Sequence, residues 1–203
     1  MTKSGSTVLV TGAGGAVGSK LVPSLLERGH IVTSMIRSAY SQGSASGRGS
    51  ASLLADVRFR NQYENHMGGI DNLIHLAAKM GGTDLDDFME VNLYGTQQLA
   101  ESYFKQNPTG RLIYVSSISA MGIFDEGDCI YKTESDFSSE TDNYGRSKRA
   151  AEVWLENYAD EKNADIVILR PGVIYGPNMQ CWLADLVEDV KHCLLYTSDA
   201  ADE

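Results

Sequence analysis

The chain is short of cysteine, short of cations, and without a long apolar run. Its 203 residues include 3 cysteines, Cys129, Cys181 and Cys193, an odd number set far apart. A disulfide-stapled scaffold is thereby excluded, and with no CxxC pair or Cys/His cluster there is no zinc-ligand spacing and no metal to expect. A reduced, cytoplasmic setting is the expectation. Lysine and arginine number 17 against 27 acids, a formal net charge of -10. Nucleic acids and anionic membranes are held by clustered Lys and Arg, so neither is expected as a partner, and a small molecule is. Nowhere do about 18 apolar residues run together, and the opening MTKSGSTVLV has no apolar stretch ahead of a small-residue cleavage site. Export and membrane insertion are therefore not expected. A G-x-S-x-G elbow and a G-x-x-x-x-G-K loop are both missing, which argues against an α/β-hydrolase and a P-loop NTPase.

What is present is ordinary in amount and ordered in pattern. Hydrophobic residues make up 42% and charged residues 22%, enough for one sizeable core. Short apolar runs alternate with longer stretches of helical period, the pattern of a parallel sheet covered on both faces, so the expected class is doubly wound α/β. The expected strands are Thr7 to Val10, Ile31 to Ile36, Leu53 to Ala55, Asn72 to Leu76, Arg111 to Ser116 and Ile166 to Leu169. Helices are expected over Ala16 to Arg28, with Val17, Leu21, Leu25 and Leu26 on one face and Gly29 as the stop, over Asp84 to Gln106, and over Asn143 to Lys162. The stretch between Tyr40 and Ser52 is rich in Gly and Ser and has no apolar face, so it reads as a surface loop.

The first run is followed by Thr11-Gly12-Ala13-Gly14-Gly15-Ala16-Val17-Gly18. Strand, glycine turn and helix arrive in the order a dinucleotide site needs. Gly12 permits the tight turn, Gly15 lets the backbone approach a pyrophosphate, and Gly18 lets helix and strand pack closely. The helix N-terminus then offers N–H groups and a positive dipole end to the phosphates. At the end of the second strand an acidic residue would receive the ribose hydroxyls of NAD, whereas an arginine favours the 2′-phosphate of NADP. The chain reads Met35-Ile36-Arg37-Ser38, so Arg37 leans the expectation toward NADP over NAD.

A second constellation lies further on. Tyr144 and Lys148 are four apart at the start of a helix and share a face, so an ammonium can sit beside the phenol and the cofactor ribose. An unperturbed tyrosine is a poor base near neutrality, and a neighbouring cation favours its phenolate. Ser117, at the end of the fifth strand, can hydrogen-bond the reacting oxygen. Tyr158 and Lys162 repeat the spacing, but fourteen residues along a helix is roughly 21 Å. Only Tyr144, in the first turn, is at the carboxyl ends of the strands where ligands bind in such sheets.

The glycine motif, HLAA at His75 to Ala78, VNLYGT at Val91 to Thr96, VSS at Val115 to Ser117, YGRSK at Tyr144 to Lys148 and LRPGVIYGP at Leu169 to Pro177 come in the order of the extended short-chain dehydrogenases, the NAD-dependent epimerase/dehydratase family. The resemblance spans about residues 7 to 180. It implies a Rossmann-type catalytic domain over 1–177, catalysis by Ser117, Tyr144 and Lys148, and Asn92 supporting the helix and proton relay at the cofactor; Asn92 can equally be a helix cap or a side-chain bond. Asp56 and Val57 resemble the segment that edges the adenine, Leu76, Ala77 and Ala78 the segment that lines the ribose, and Pro171, Gly172 and Val173 the segment beside the nicotinamide. Family members continue into a smaller substrate-binding domain, of which 178–192 reads as the truncated beginning. The ending Cys193 to Glu203 resembles the in-frame translation of a transposase mosaic-end adapter and is expected to be non-native.

The activity implied is hydride transfer between a nicotinamide cofactor and a hydroxyl- or keto-bearing carbon, with a nucleotide sugar as the first substrate class. The alternatives are an NADPH-dependent reductase of steroid-like or flavonoid-like ketones and a non-catalytic NADP-sensing module. Expected partners are a small-molecule substrate and, for the full-length protein, a second copy in a homodimer.

Overall fold

The structure is a computed structural model and describes residues 5–38, 50–123, 133–138 and 141–176. Pro177, the segments 178–192 and 193–203, all three cysteines and most of the Gly/Ser-rich stretch, 40–49, lie outside the described residues. The chain forms two compact units, Met1–Gly172 and Val173–Glu203.

Six strands, β1 (Thr7–Thr11), β2 (Ile31–Ile36), β3 (Ala51–Leu54), β4 (Asn72–His75), β5 (Arg111–Val115) and β6 (Asp165–Leu169), form one sheet in the order β3-β2-β1-β4-β5-β6. Every pairing is parallel, with Val8 opposite Val32 on one side and Asn72 on the other. Side chains of a strand alternate between faces, and β1 shows where each face goes. Leu9 joins Met35, Leu73, Leu112 and Tyr114 in one core, while Val8 and Val10 join Val32 and Ile36 in another. Burial on both faces explains why the strands read as unbroken apolar runs.

Helix α1 (Gly18–Glu27) closes the second core with Val22, fully buried, and with Leu21, Leu25 and Leu26. The apolar face is as the periodicity predicts, but Val17 precedes the helix and Val22 is its innermost residue. The other core is covered by α3 (Gly95–Gln106), through Leu99, Ala100 and Tyr103, and by α4 (Asn143–Lys162), through Ala151 and Leu155. Each fully buried side chain of this size contributes about 1.5–3 kcal/mol by leaving water.

The helix expected over Asp84 to Gln106 is one helical run in three parts: α2 (Leu85–Met89), a π-helical segment (Glu90–Tyr94) and α3. Asp84 caps it by accepting from the Asp86 N–H at 3.0 Å. Helix α4 keeps the bounds its sequence gives. Asp142 caps it through the Gly145 N–H at 2.6 Å, and Asn163 ends it in the left-handed region with φ 52°. Between β3 and β4 no α-helix forms. Two single 3₁₀ turns, Arg60–Gln62 and Glu64–His66, carry the chain there, because RFRNQYENHMGG has no helical apolar period and buries only Tyr63 and Met67.

The topology sets the site. From β1 the chain runs outward through β2 and β3, then returns to β4 on β1's other side, so connections leave the carboxyl ends of β1 and β4 in opposite directions. The crevice this opens is where open α/β sheets bind ligands.

Candidate active site

The carboxyl end of β1 is tied to that of β4 by Thr11. Its hydroxyl accepts the Leu76 and Ala77 N–H groups at 3.2 and 3.1 Å and lies 2.6 Å from His75 Nδ1. With two donors already on the oxygen, its own proton goes to Nδ1, which leaves His75 neutral with hydrogen on Nε2. That N–H meets Thr96 Oγ1 at 3.0 Å, and Thr96 donates to the Asn92 carbonyl at 2.7 Å. Burial, with the Lys148 charge adding, pushes His75 down to about 3.

The folded state therefore binds fewer protons than the unfolded chain between about pH 3 and 6.5. Stability from His75 is complete above 6.5 and is lost as pH falls through that window. Denaturant unfolding at pH 7.5 and pH 5 is expected to show a loss of about 2 kcal/mol from this residue. In His75→Asn, less stable at neutral pH, that part of the pH dependence disappears.

Above this seam turns the glycine motif. Gly12 has φ +63°, and a Cβ there would lie 2.8 Å from the Ala77 nitrogen. At Gly18 a Cβ would lie 2.6 Å from the Ala13 Cα and from the Ala13 and Gly12 carbonyl oxygens. Gly15 is exposed, and a Cβ would meet only the Gly12 carbonyl, at 3.2 Å. Val17, at the N-cap of α1, makes no side-chain cap, and the Ser19 and Lys20 N–H groups donate to the Gly15 and Val17 carbonyls at 2.9 and 3.0 Å.

A cleft of about 220 Å³ opens beside the turn. Its walls come from Thr11, Gly12 and Gly14, from Met35 to Ser38, from Ala55, Asp56 and Val57, from Leu76, Ala77 and Ala78, and from Val91. Arg37 is exposed on its rim. Asp56 is tied to Arg58: its carboxylate accepts Arg58 Nε at 3.1 Å and NH2 at 2.8 Å, and the Arg58 N–H at 3.0 Å. Burial alone would raise the Asp56 carboxyl, but Arg58, joined by the Arg37 charge, holds it below its ordinary value. Arg58 also faces Glu90 at 3.5 Å. Sequence reasoning passed over Arg58; a cation two residues after an acid was the available signal.

Ser117 follows β5 in extended conformation and caps a 3₁₀ turn (Ile118–Met121), its Oγ accepting from the Ser119 N–H at 3.1 Å. Tyr144 is the second residue of α4, half-buried, with its ring edge-on to Phe88 at 6.3 Å. Gly145 lets the two elements meet, since a Cβ there would overlap Thr141 Oγ1 and the Ser119 carbonyl. Burial raises the Tyr144 phenol, a hydrogen bond with Ser117 acts the other way, and the Asp142 charge raises it further. Ser117 and Tyr144 are thus brought together.

Lys148 is buried, donates to the Val115 carbonyl at 2.8 Å and stands 4.3 Å from the centre of the Tyr114 ring. One of its three N–H donors is thereby held at the end of β5. Burial pulls it down to about 7 against the pull of Glu152.

Asn92 is fully engaged inside the fold and lines no wall of the cleft. Its Oδ1 accepts the Lys79 N–H at 2.8 Å, and its Nδ2 donates to the Lys79 carbonyl at 3.0 Å and to Ser147 Oγ at 2.9 Å. The side-chain-bond alternative describes this state, and the π-helical segment is what turns Asn92 toward α4. Tyr158 stacks on Trp154 at 4.9 Å and faces Phe104 at 5.8 Å, away from Ser117. After β6, the Pro171 carbonyl accepts the Ile118 N–H at 3.0 Å and the Leu169 carbonyl the Ser116 N–H at 2.7 Å, so this segment lies against the Ser117 turn. Gly172 ends the first unit and Val173 opens the second. Among the described residues, no helix is long and apolar enough to cross a membrane, and no three His, Cys, Asp or Glu side chains gather as a metal site.

A parallel sheet in this order, a glycine turn with no room for a Cβ at Gly12 or Gly18, and a cleft across the β1/β4 crevice define a Rossmann-type dinucleotide fold of the short-chain dehydrogenase kind. The profile of the NAD dependent epimerase/dehydratase family matches residues 8–194, and the chain belongs to that family. It is 32% identical over 192 residues to a UDP-glucose 4-epimerase of Vibrio cholerae, covering 91% of this chain and 57% of the relative. It is 33% identical over 176 residues to the sterol demethylase protein B of Methylococcus capsulatus, covering 84% and 52%. The solved UDP-glucose 4-epimerase of Thermus thermophilus, in complex with NAD, superposes with a TM-score of 0.74 at 28% identity, covering 85% of this chain and 57% of that one. The chain spans a little over half the length of these relatives.

Proposed function

We propose that the protein is an NAD(P)-dependent enzyme of the epimerase/dehydratase type that acts at a hydroxyl- or keto-bearing carbon of a nucleotide sugar. The observation that carries this is the packing of the first turn of α4, which holds Tyr144, against the 3₁₀ turn that Ser117 caps at the carboxyl end of β5, Gly145 lying close against the Ser119 carbonyl. A dinucleotide suits the residues present. Gly12, Gly15 and Gly18 would cradle its pyrophosphate, the backbone of Asp56 and Val57 its adenine, and Leu76 to Ala78 its ribose. The bound nicotinamide supplies the two-electron exchange.

Tyr144 moves the substrate proton. Its raised affinity for that proton makes the neutral phenol the resting form, ready to donate; accepting a proton requires positive charge nearby, from Lys148 and an oxidised nicotinamide. Ser117 hydrogen-bonds the reacting oxygen and fixes its direction. Resemblance to the Vibrio and Thermus epimerases favours a nucleotide-sugar substrate. The test is incubation of a version that carries the complete substrate-binding domain with NAD⁺ and UDP- or dTDP-hexoses, with the sugar products separated afterwards. Altered hexose is the expected result; unaltered substrate across the panel rejects this substrate class. A cytoplasmic setting and homodimeric assembly belong to the same proposal, the first supported by three dispersed cysteines.

A second reading, an NADPH-dependent ketone reductase of steroid-like or flavonoid-like substrates, is favoured by Arg37 on the cleft rim and by the likeness to the Methylococcus protein. Arg37→Ala is expected to weaken NADPH about tenfold and NADH little, as a charge-assisted phosphate contact is lost. Paired titrations of the two cofactors check this. Equal effects on both remove the case for NADP.

A further inference from the structure

The 3₁₀ turn that Ser117 caps (Ile118–Met121) is held from outside at both ends and in the middle. The Ile118 N–H donates to the Pro171 carbonyl at 3.0 Å, and the Ser138 N–H donates to the Met121 carbonyl at 2.8 Å. Between them, Thr141 Oγ1 donates to the Ser119 carbonyl at 3.0 Å. The three supports belong to three elements: Pro171 follows β6, Ser138 closes the segment 133–138, and Thr141 stands just before α4.

One side chain joins these elements. Arg170, next to Pro171, grips Glu152 of α4 through Nε to Oε1 at 3.0 Å and NH2 to Oε2 at 2.9 Å. Its NH1 donates to the Glu134 carbonyl at 2.7 Å, in the segment that ends at Ser138. Arg149 reaches Glu152 Oε2 at 3.2 Å, and the Phe137 ring lies against both guanidiniums, 3.5 Å from Arg149 and 4.9 Å from Arg170. The Glu152 side chain is fully buried and that of Arg170 is 11% exposed. A buried ion pair of this kind adds little net stability, because both charges must leave water. What the planar fork of an arginine adds is direction. A lysine would bring the same charge to one point and could not hold both Glu152 oxygens and the Glu134 carbonyl in one plane.

We propose that Arg170, seated on Glu152, is a positioning residue for Ser117: it fixes the three supports of the turn relative to one another and so sets where the Ser117 hydroxyl stands relative to Tyr144. The proposal rests on the reading of Ser117 as the group that bonds the reacting oxygen. Arg170 acts through the turn and not on the reacting atoms.

The test is amide hydrogen exchange, read by NMR in the 203-residue chain. In Arg170→Lys, which keeps the charge and loses the fork, the Ile118 and Ser138 amides are expected to exchange at least about tenfold faster, as a local opening would make them. The Leu76 and Ala77 amides, held by Thr11 on the β1/β4 seam, should keep their rates. A general loss of stability would speed all four alike. Glu152→Gln, which takes the carboxylate charge from Arg170, is expected to give the same pattern. An unchanged rate at Ile118 or at Ser138, or equal acceleration at all four amides, overturns the proposal. Should neither variant fold, the wild-type protein decides. In urea below the unfolding transition, Ile118 and Ser138 must open together while Leu76 and Ala77 stay protected, and separate openings of the pair overturn it. These readings use no substrate, so an absence of turnover, which would sink the functional reading, leaves them intact.

Discussion

Tyr144→Phe, in a version that carries the complete substrate-binding domain, is expected to lower turnover by about a hundredfold to ten-thousandfold, the range that a positioned proton carrier contributes. The cofactor should bind as before. The substitution removes one hydroxyl and keeps the ring that packs edge-on against Phe88, so the helix start and the glycine turn stay in place. Tyr158→Phe is the control, sharing the four-residue spacing to a lysine but holding its ring against Trp154 and Phe104. It should leave turnover unchanged. Activity followed alongside NADH titration separates the two, and comparable losses in both variants would remove Tyr144 from the proposed mechanism.

Gly18→Ala is expected to damage both the packing of α1 on β1 and the glycine turn. The added carbon would lie 2.6 Å from three backbone atoms of Gly12 and Ala13, and backbone has no rotamer with which to yield. Helix α1 must back away from β1, at a cost of about 1–3 kcal/mol on the scale of overpacked cores. The turn that cradles the phosphates would move with it, weakening the dinucleotide by about tenfold or more. Gly15→Ala is the useful contrast. Gly15 is exposed and meets only one carbonyl, at 3.2 Å, so the melting temperature should hold while cofactor affinity falls. Thermal unfolding and cofactor titration of both variants measure the difference.

The parts of this site legible in the sequence are those governed by local rules. Strand β2 and helix α4 keep the bounds expected of them because apolar run, cap and stop all lie within their own segments. The glycine turn is likewise local. What sequence could not give is set by distant partners. His75 reads as the first residue of HLAA, yet its role comes from Thr11, 64 residues away, and Thr96, 21 away. Asn92 faces α4 because the helix widens to a π turn at Glu90–Tyr94, for which propensity offers no signal. Glu152 looks like one more acid on a charged helix and is instead enclosed, since Arg170 reaches it from beyond β6. The spacing places Lys148 on α4 but gives no sign of its bond to the Val115 carbonyl or its seat over the Tyr114 ring, which lie on another element.

If the crevice beside β1 and β4 binds a nicotinamide dinucleotide, titration of the 203-residue chain with NADH and with NADPH, read by nucleotide fluorescence, gives saturable binding of at least one of the two. That binding is displaced by the oxidised form and strongly weakened in Gly18→Ala. Fluorescence that rises without saturation for both nucleotides, or a saturable signal that is the same in folded Gly18→Ala, would contradict it.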